Sequence, residues 1–126
     1  MILYCAADLI WATRIKATAD ALGIPCRPVR TLDMLSARLA DSPVRALIID
    51  LETGEIGLSL IRVLRGSAEE PGRDPERNIT IVAFGPHVAT DLLTLAKSAG
   101  ADQVMVRGAF DRQLADLLPK LAHKSR

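Results

Sequence analysis

Short apolar runs alternate along the chain with longer stretches that are apolar on one side only. In the clearest run, the apolar residues from Ala46 to Ile49 lead directly into the carboxylate of Asp50. A continuous apolar run of this length is typical of a strand that is buried on both faces of a parallel sheet. Runs of this kind predict five strands, at 1–5, 24–29, 44–50, 79–84 and 104–106.

The stretches between the strands carry apolar residues at helical spacing. Asp8 is a suitable N-cap for the first helix, and Thr31 is placed to cap the second. Residues 51–55 are predicted to form a loop. Asp111 is placed to cap the last helix, in which Pro119 predicts a kink or an early end. The predicted helices cover residues 8–22, 31–40, 56–64, 87–98 and 111–121.

Strand and helix alternate five times, which predicts a single α/β domain over residues 1–126. Its parallel sheet is expected to be covered by helices on both faces. Right-handed crossovers leave few topologies, and the flavodoxin-like strand order 2-1-3-4-5 fits best. This order places the second strand at an edge, where Pro25 and Pro28 are tolerated although they have no backbone N–H. The predicted fold class is therefore a flavodoxin-like (βα)5 three-layer sandwich.

Composition narrows the possible classes of function. Hydrophobic residues make up 49% of the chain and aromatic residues only 3%, so the core is expected to be aliphatic. The formal net charge of +1 gives no electrostatic basis for binding nucleic acid or a membrane surface. The sequence shows neither a signal-peptide pattern nor an apolar run of the ~20 residues that span a bilayer, so we expect a cytoplasmic protein. Cys5 and Cys26 are expected to be buried thiols, and the polar residues 66–78 a surface loop.

The predicted topology brings several residues to one edge of the sheet. In a sheet of this order, functional groups lie just past the carboxyl ends of the strands, at the point where the strand order reverses. Strands one and three end side by side at this point, and strands four and five end next to them. The residues expected around this cleft are Ala6, Ala7, Asp8, Asp50, Gly85 and Arg107.

Three sequence pieces point to a known family. These are the opening apolar strand, the run from Leu47 to Asp50 followed by Gly57, and the segment Ala99-Gly100-Ala101-Asp102 before strand five. Because of these pieces, the chain resembles the receiver domain of two-component response regulators. The resemblance covers nearly the whole length of the chain. The resemblance implies a signalling protein rather than an enzyme, with Asp50 at the position that accepts a phosphoryl group.

The other functional positions of that family are changed here. The acidic pair that binds a divalent metal after strand one is replaced by Ala6 and Ala7. The hydroxyl residue at the end of strand four is replaced by Gly85, or by Phe84 if the register shifts by one residue. The lysine after strand five is replaced by Arg107, which is placed to pair with Asp50. The resemblance therefore implies a degenerate pseudo-receiver with no metal site, in which Mg²⁺ is needed only if Asp50 is active.

The resemblance also implies a protein partner: a histidine kinase, an output protein or a second copy of the chain. The face commonly used for pairing in that family is formed by the fourth helix, the fifth strand and the fifth helix. The corresponding residues here are Thr90, Thr94, Lys97, Gln103, Met105, Arg112 and Asp116.

Two alternatives remain open from the residues alone. In the first, Asp50 still accepts a phosphoryl group and the chain is a phosphorylatable receiver. In the second, Cys5 at the end of strand one is the nucleophile of a phosphotransferase-like domain. The loop that follows Cys5 begins Ala6-Ala7-Asp8 and offers no glycine, hydroxyl or arginine to hold a phosphate, which argues against the second.

Overall fold

The computed structural model of the protein describes residues 1–66 and 78–123, so most of the predicted 66–78 loop lies outside the described residues. The described part contains a five-stranded parallel sheet in the order β2-β1-β3-β4-β5, which confirms the predicted fold class. The strands are β1 Ile2–Cys5, β2 Cys26–Pro28, β3 Ala46–Asp50, β4 Thr80–Gly85 and β5 Gln103–Val106. The helices are α1 Leu9–Ala21, α2 Leu32–Asp41, a 3₁₀ helix Leu51–Thr53, α3 Glu55–Arg65, α4 Thr90–Ala99 and α5 Arg107–Ala122.

Helices cover both faces of the sheet, and each face has its own buried core. On one face, side chains of α1 and α5 pack on alternate strand residues such as Ile48 and Val82. On the other face, α2, α3 and α4 pack on the intervening residues such as Leu47 and Ile81. Because strand side chains point alternately to opposite faces, the continuous apolar runs supply both cores. Among the described residues, no helix has the length and apolar character needed to cross a membrane.

Aromatic residues are few, but they are concentrated in one place. Phe84 and Phe110 stack with ring centroids 4.0 Å apart, and both are fully buried. Trp11 lies against the pair, with its centroid 5.0 Å from that of Phe84 and 5.8 Å from that of Phe110. The expectation of a purely aliphatic core is therefore wrong on the α1 and α5 face, where these three residues form an aromatic cluster.

The predicted N-caps of the first two helices are confirmed. The Asp8 carboxylate accepts a hydrogen bond from the Trp11 N–H at 2.9 Å. The Thr31 hydroxyl accepts one from the Met34 N–H at 3.0 Å. Each bond satisfies one of the amide groups that a helix leaves unpaired at its first turn.

Three predicted boundaries differ most clearly from the structure. Residues 51–53 form a 3₁₀ helix rather than a loop. Helix α4 begins at Thr90 and not at residue 87, because a turn closed by the bond from the Ala89 N–H to the Pro86 carbonyl precedes it. Helix α5 begins at Arg107, so Asp111 lies inside the helix and pairs with Arg14 instead of capping it. The same helix continues through Pro119 to Ala122, so it does not end early.

The Ala99–Asp102 segment has a clear structural role. Gly100 ends α4 with φ of +117°, a conformation that residues with a Cβ rarely adopt. The Asp102 carboxylate accepts a hydrogen bond from the Ile81 N–H at 2.7 Å and pairs with Arg65. The segment therefore ties the end of α4 to β4 and α3.

Candidate functional site

The predicted cleft residues lie together at the carboxyl ends of the strands. Ala6 and Ala7 follow β1, and Asp50 ends β3, directly beside β1 in the sheet. The register of β3 and β4 pairs Asp50 with Phe84, and Gly85 pairs with Val106 of β5. Whichever of Phe84 and Gly85 is matched to the hydroxyl position, this place in the site has no hydroxyl group.

Asp50 is 1% exposed, and main-chain groups occupy both of its carboxylate oxygens. The Ala7 N–H donates to Oδ2 at 3.0 Å, and the Glu52 N–H donates to Oδ1 at 3.0 Å. The Thr53 hydroxyl donates to the Asp50 carbonyl oxygen at 2.6 Å. Asp50 therefore joins the end of β3 to the loop after β1 and to the 3₁₀ helix.

The pKa of Asp50 is raised above its ordinary value of 3.8. Burial is the largest cause, because it disfavours the charged form. The hydrogen bonds from the Ala7 and Glu52 amides favour the charged form and oppose the shift, while the nearby Glu52 and Asp8 carboxylates add to it. The Asp50 carboxylate is thus held by two main-chain hydrogen bonds in a buried environment that favours its protonated form.

This shift has a defined consequence for stability. Between pH 3.8 and the folded-state pKa, the folded state binds more protons at Asp50 than the unfolded state does, so stability falls as pH rises. We expect the unfolding free energy of the wild type, minus that of Asp50→Asn, to decline from pH 3.8 upward and to level off above the folded-state pKa. Urea denaturation of both proteins over a series of pH values measures the difference. An increase across this interval would contradict the raised pKa.

The residues after β1 offer little to a cation. Ala6 packs against the aromatic-cluster side of the core, and neither it nor Ala7 has a side-chain oxygen. Mg²⁺ prefers oxygen ligands in near-octahedral geometry. Asp8 has a carboxylate, but one of its oxygens accepts the N-cap bond from Trp11. Within residues 1–66 and 78–123, no group of three His, Cys, Asp or Glu side chains is placed to hold a metal ion.

Arg107 does not pair with Asp50, so that expectation is wrong. Its guanidinium binds the carboxylate of Glu52, the residue whose backbone N–H holds Asp50. The Arg107 Nε atom is buried and has no hydrogen-bond partner among the described residues. The ion pair lies across the cleft and connects the start of α5 to the 3₁₀ helix.

Sequence reasoning missed the roles of Glu52 and Thr53. Both belong to the segment that was predicted to be a loop. A carboxylate that accepts a bond from the N–H two residues later, followed by a hydroxyl residue, is a recurring local turn pattern, and Asp50 with Thr53 fits it. That local signal was available in the sequence.

Cys5 is poorly suited to act as a nucleophile. Its side chain is buried, and burial raises the pKa of the thiol, which favours the unreactive protonated form. Cys26 is buried as well, and its pKa is raised to about 11. Both cysteines are free, as the sequence predicts.

The expected pairing face is largely exposed, with one exception. Helix α4, strand β5 and helix α5 lie next to one another. Met105 points into the core and is 7% exposed, so its predicted place on the surface is wrong. The exposed residues of this face are Thr90, Thr94, Lys97, Gln103, Arg112 and Asp116.

Comparison with known proteins identifies the fold. No family model and no curated protein matches the sequence. Among solved structures, the receiver domain of NtrX from Brucella abortus has a TM-score of 0.75 at 15% identity, with 99% of this chain and 100% of that chain covered. The signal receiver domain of a signal transduction histidine kinase from Syntrophus aciditrophicus has a TM-score of 0.74 at 19% identity, covering 99% and 93% of the two chains.

A response regulator from Thermotoga maritima is similar to the same degree. Its TM-score is 0.71 at 16% identity, and the match covers 96% of this chain and 95% of that chain. These similarities extend over the full length of the domain and agree with the observed strand order. The chain therefore has the fold of response regulator receiver domains.

Proposed function

We propose that this protein is a pseudo-receiver, a signalling domain that acts through protein–protein contacts without metal-dependent phosphorylation of Asp50. The observation that carries the proposal is the surroundings of Asp50. Both of its oxygens accept main-chain hydrogen bonds, and alanines occupy the two positions after β1 where receivers hold a metal. Asp50 then serves to hold the loops of the cleft together.

The chemistry of phosphoryl transfer supports this proposal. A carboxylate and a phosphodonor are both negative, and a metal ion normally offsets the charge that develops as they approach. Ala6 and Ala7 supply no side-chain ligand for that ion. Arg107, the cationic residue expected at the cleft, is paired with Glu52. The phosphoryl group would therefore meet a negative cleft that has little to compensate its charge.

Without phosphorylation of Asp50, we propose that the protein acts by binding a protein partner through its surface. The α4, β5 and α5 face is largely exposed and carries polar side chains such as Thr94 and Gln103 together with the exposed apolar side chain of Leu95. We propose that it binds a histidine kinase, an output protein or a second copy of the chain in the cytoplasm. The net charge of +1 gives no support to a nucleic acid or membrane partner. Sedimentation analysis of the purified protein distinguishes the second copy from the other two partners.

A phosphorylatable receiver is the second candidate. The observation in its favour is the position of Asp50 at the carboxyl end of the central strand β3, where the family's phosphoacceptor lies. Its carboxylate is buried and accepts hydrogen bonds from the amides of Ala7 and Glu52, which makes it a weaker nucleophile toward a phosphodonor.

We expect no phosphate adduct on the wild type after incubation with acetyl phosphate and Mg²⁺, because the cleft lacks ligands that would hold the ion. Intact-protein mass spectrometry measures this, with a metal-dependent receiver domain treated in parallel to prove that the donor is competent. An adduct that is lost in Asp50→Asn would overturn the pseudo-receiver in favour of the phosphorylatable receiver. An adduct that is lost in Cys5→Ser instead would favour the cysteine phosphotransferase.

A further inference from the structure

A separate groove opens beside the cleft, on its β4 and β5 side. It has a volume of about 500 Å³ and lies between the turn before α4 and the first turn of α5. Its polar side chains are those of His87, Arg107 and Arg112, and the apolar ones include Val88 and Val106. The described residues that line it include no aspartate or glutamate.

The charges in this groove are poorly balanced. Within the described part of the chain, neither Arg112 nor His87 forms a hydrogen bond or an ion pair. A methyl group built on Gly108 would lie 3.4 Å from Nη1 of Arg112, which places this guanidinium over the first turn of α5. A cation at the N-terminus of a helix is unfavourable, because the helix dipole is positive there. An anion placed between the Arg112 guanidinium and the N-terminus of α5 would be attracted by both groups.

The start of α5 adds further donors. No side chain caps this helix, whose N-cap residue is Val106. Its first amide groups, which lack partners within the helix, therefore remain without a side-chain acceptor. Arg107 uses one nitrogen for Glu52, and its Nε has no partner among the described residues. The groove thus combines the Arg112 guanidinium, unpaired within the described part of the chain, the His87 imidazole and an uncapped helix start, while the charge of Arg107 beside them is paired with Glu52.

The apolar side chains of the groove indicate that its ligand has an organic part in addition to an anionic group. Val88 is 76% exposed and Val106 is 40% exposed, which is high for aliphatic side chains. Pockets of ~300–1,000 Å³ that combine apolar walls with a few polar groups are typical of small-molecule sites. Bare phosphate would leave this apolar surface uncovered.

From these contacts we propose that the groove binds the phosphate group of a small organic molecule such as a nucleoside monophosphate. Arg112 and His87 contact the phosphate oxygens together with the first amides of α5. Val88 and Val106 contact the organic part of the ligand. This site is distinct from Asp50 and goes beyond the proposed signalling function, since it does not depend on whether Asp50 reacts.

Titration of the ¹⁵N-labelled protein with AMP at constant ionic strength tests this proposal. We expect saturable shifts of the Gly108 and Ala109 amide signals, and weaker shifts with inorganic pyrophosphate, which has the charge but not the organic part. Adenosine, which has no phosphate, should cause no such shifts. Absence of saturable shifts with AMP, or equal binding of adenosine, would overturn the proposal.

A charge-matched pair of variants locates the site. Arg112→Gln is expected to weaken AMP binding by about tenfold, the size of one charge-assisted hydrogen bond. Arg27→Gln removes an exposed arginine on β2, at the far edge of the sheet, and should leave binding within about twofold. Equal weakening by the two variants would show a general charge effect and would contradict the assigned site.

Discussion

Phe84→Ala is expected to lower the free energy of unfolding by about 3–5 kcal/mol, the range typical of removing a large aromatic side chain from a core. Phe84 is fully buried and stacks on Phe110 at a centroid distance of 4.0 Å. Its loss would also remove the contact with Trp11 and leave a cavity beneath α1. Because β4 lies in the interior of the sheet, the neighbouring strands limit how far this cavity can collapse.

Urea denaturation followed by circular dichroism measures this loss. Val88→Ala is the control, because Val88 lies only four residues away in sequence and is 76% exposed. It should change the unfolding free energy by less than about 0.5 kcal/mol. A loss below about 1.5 kcal/mol in Phe84→Ala would mean that the aromatic cluster is not tightly packed.

Gly57→Ala has the second-largest expected effect, a loss of about 1–3 kcal/mol in unfolding free energy. A Cβ at Gly57 would overlap the Thr53 hydroxyl oxygen and would lie 2.8 Å from Cγ2 of Ile49, so both must shift. Movement of Thr53 would weaken its hydrogen bond to the Asp50 carbonyl. The gain from replacing a helical glycine with alanine, ~1 kcal/mol, offsets only part of this cost.

The matched control for Gly57→Ala is Gly108→Ala. Gly108 also lies in a helix, but a Cβ there would approach only the far end of the flexible Arg112 side chain, at 3.4 Å. This variant should be as stable as the wild type or slightly more stable, because only the helix preference changes. Comparable losses in the two variants would rule out the close contact at Thr53 as the cause. The ¹⁵N shifts of Glu52 and Ala7 should change in Gly57→Ala alone, since these amides hold Asp50.

The sequence predicted the fold well because its strongest signals are local. Four of the five strands are nearly continuous apolar runs, and such runs form only where both faces of a sheet are covered. Pro25 and Pro28 indicated the edge position of β2, which the strand order confirms. Asp8 and Thr31 were correct as N-caps because a cap bond joins residues only three positions apart.

The wrong boundaries arose where two local signals competed. Asp111 is a good N-cap residue, but Phe110 just before it is fully buried and extends the apolar stripe of α5 by one turn. The burial of Phe110 against Phe84 outweighs the cap that Asp111 could have provided. Met105 was misplaced for a different reason. Strand β5 has only four residues, so the alternation of apolar and polar side chains is too short to show which face Met105 occupies.

The contacts within the site depend on distances that sequence spacing does not give. Sequence reasoning placed Arg107 beside a carboxylate correctly but chose Asp50 over Glu52. These two acids are two residues apart, and Glu52 lies in the 3₁₀ helix with its side chain directed toward Arg107 at the start of α5. The bond from the Ala7 amide to Asp50 spans 43 residues and has no sequence signature. The alanines after β1 were visible in the sequence, but the hydrogen bond from the Ala7 amide to Asp50 was not.

Trp11 is the only tryptophan in the chain, and it lies against both rings of the Phe84 and Phe110 stack. The guanidinium of Arg14, which pairs with Asp111 of α5, lies 5.8 Å from its ring centroid. Selective excitation of this indole therefore gives an optical signal from a single known place, where α1, β4 and α5 meet. Its emission reports on the packing of the same strand that ends at the cleft, without any attached dye.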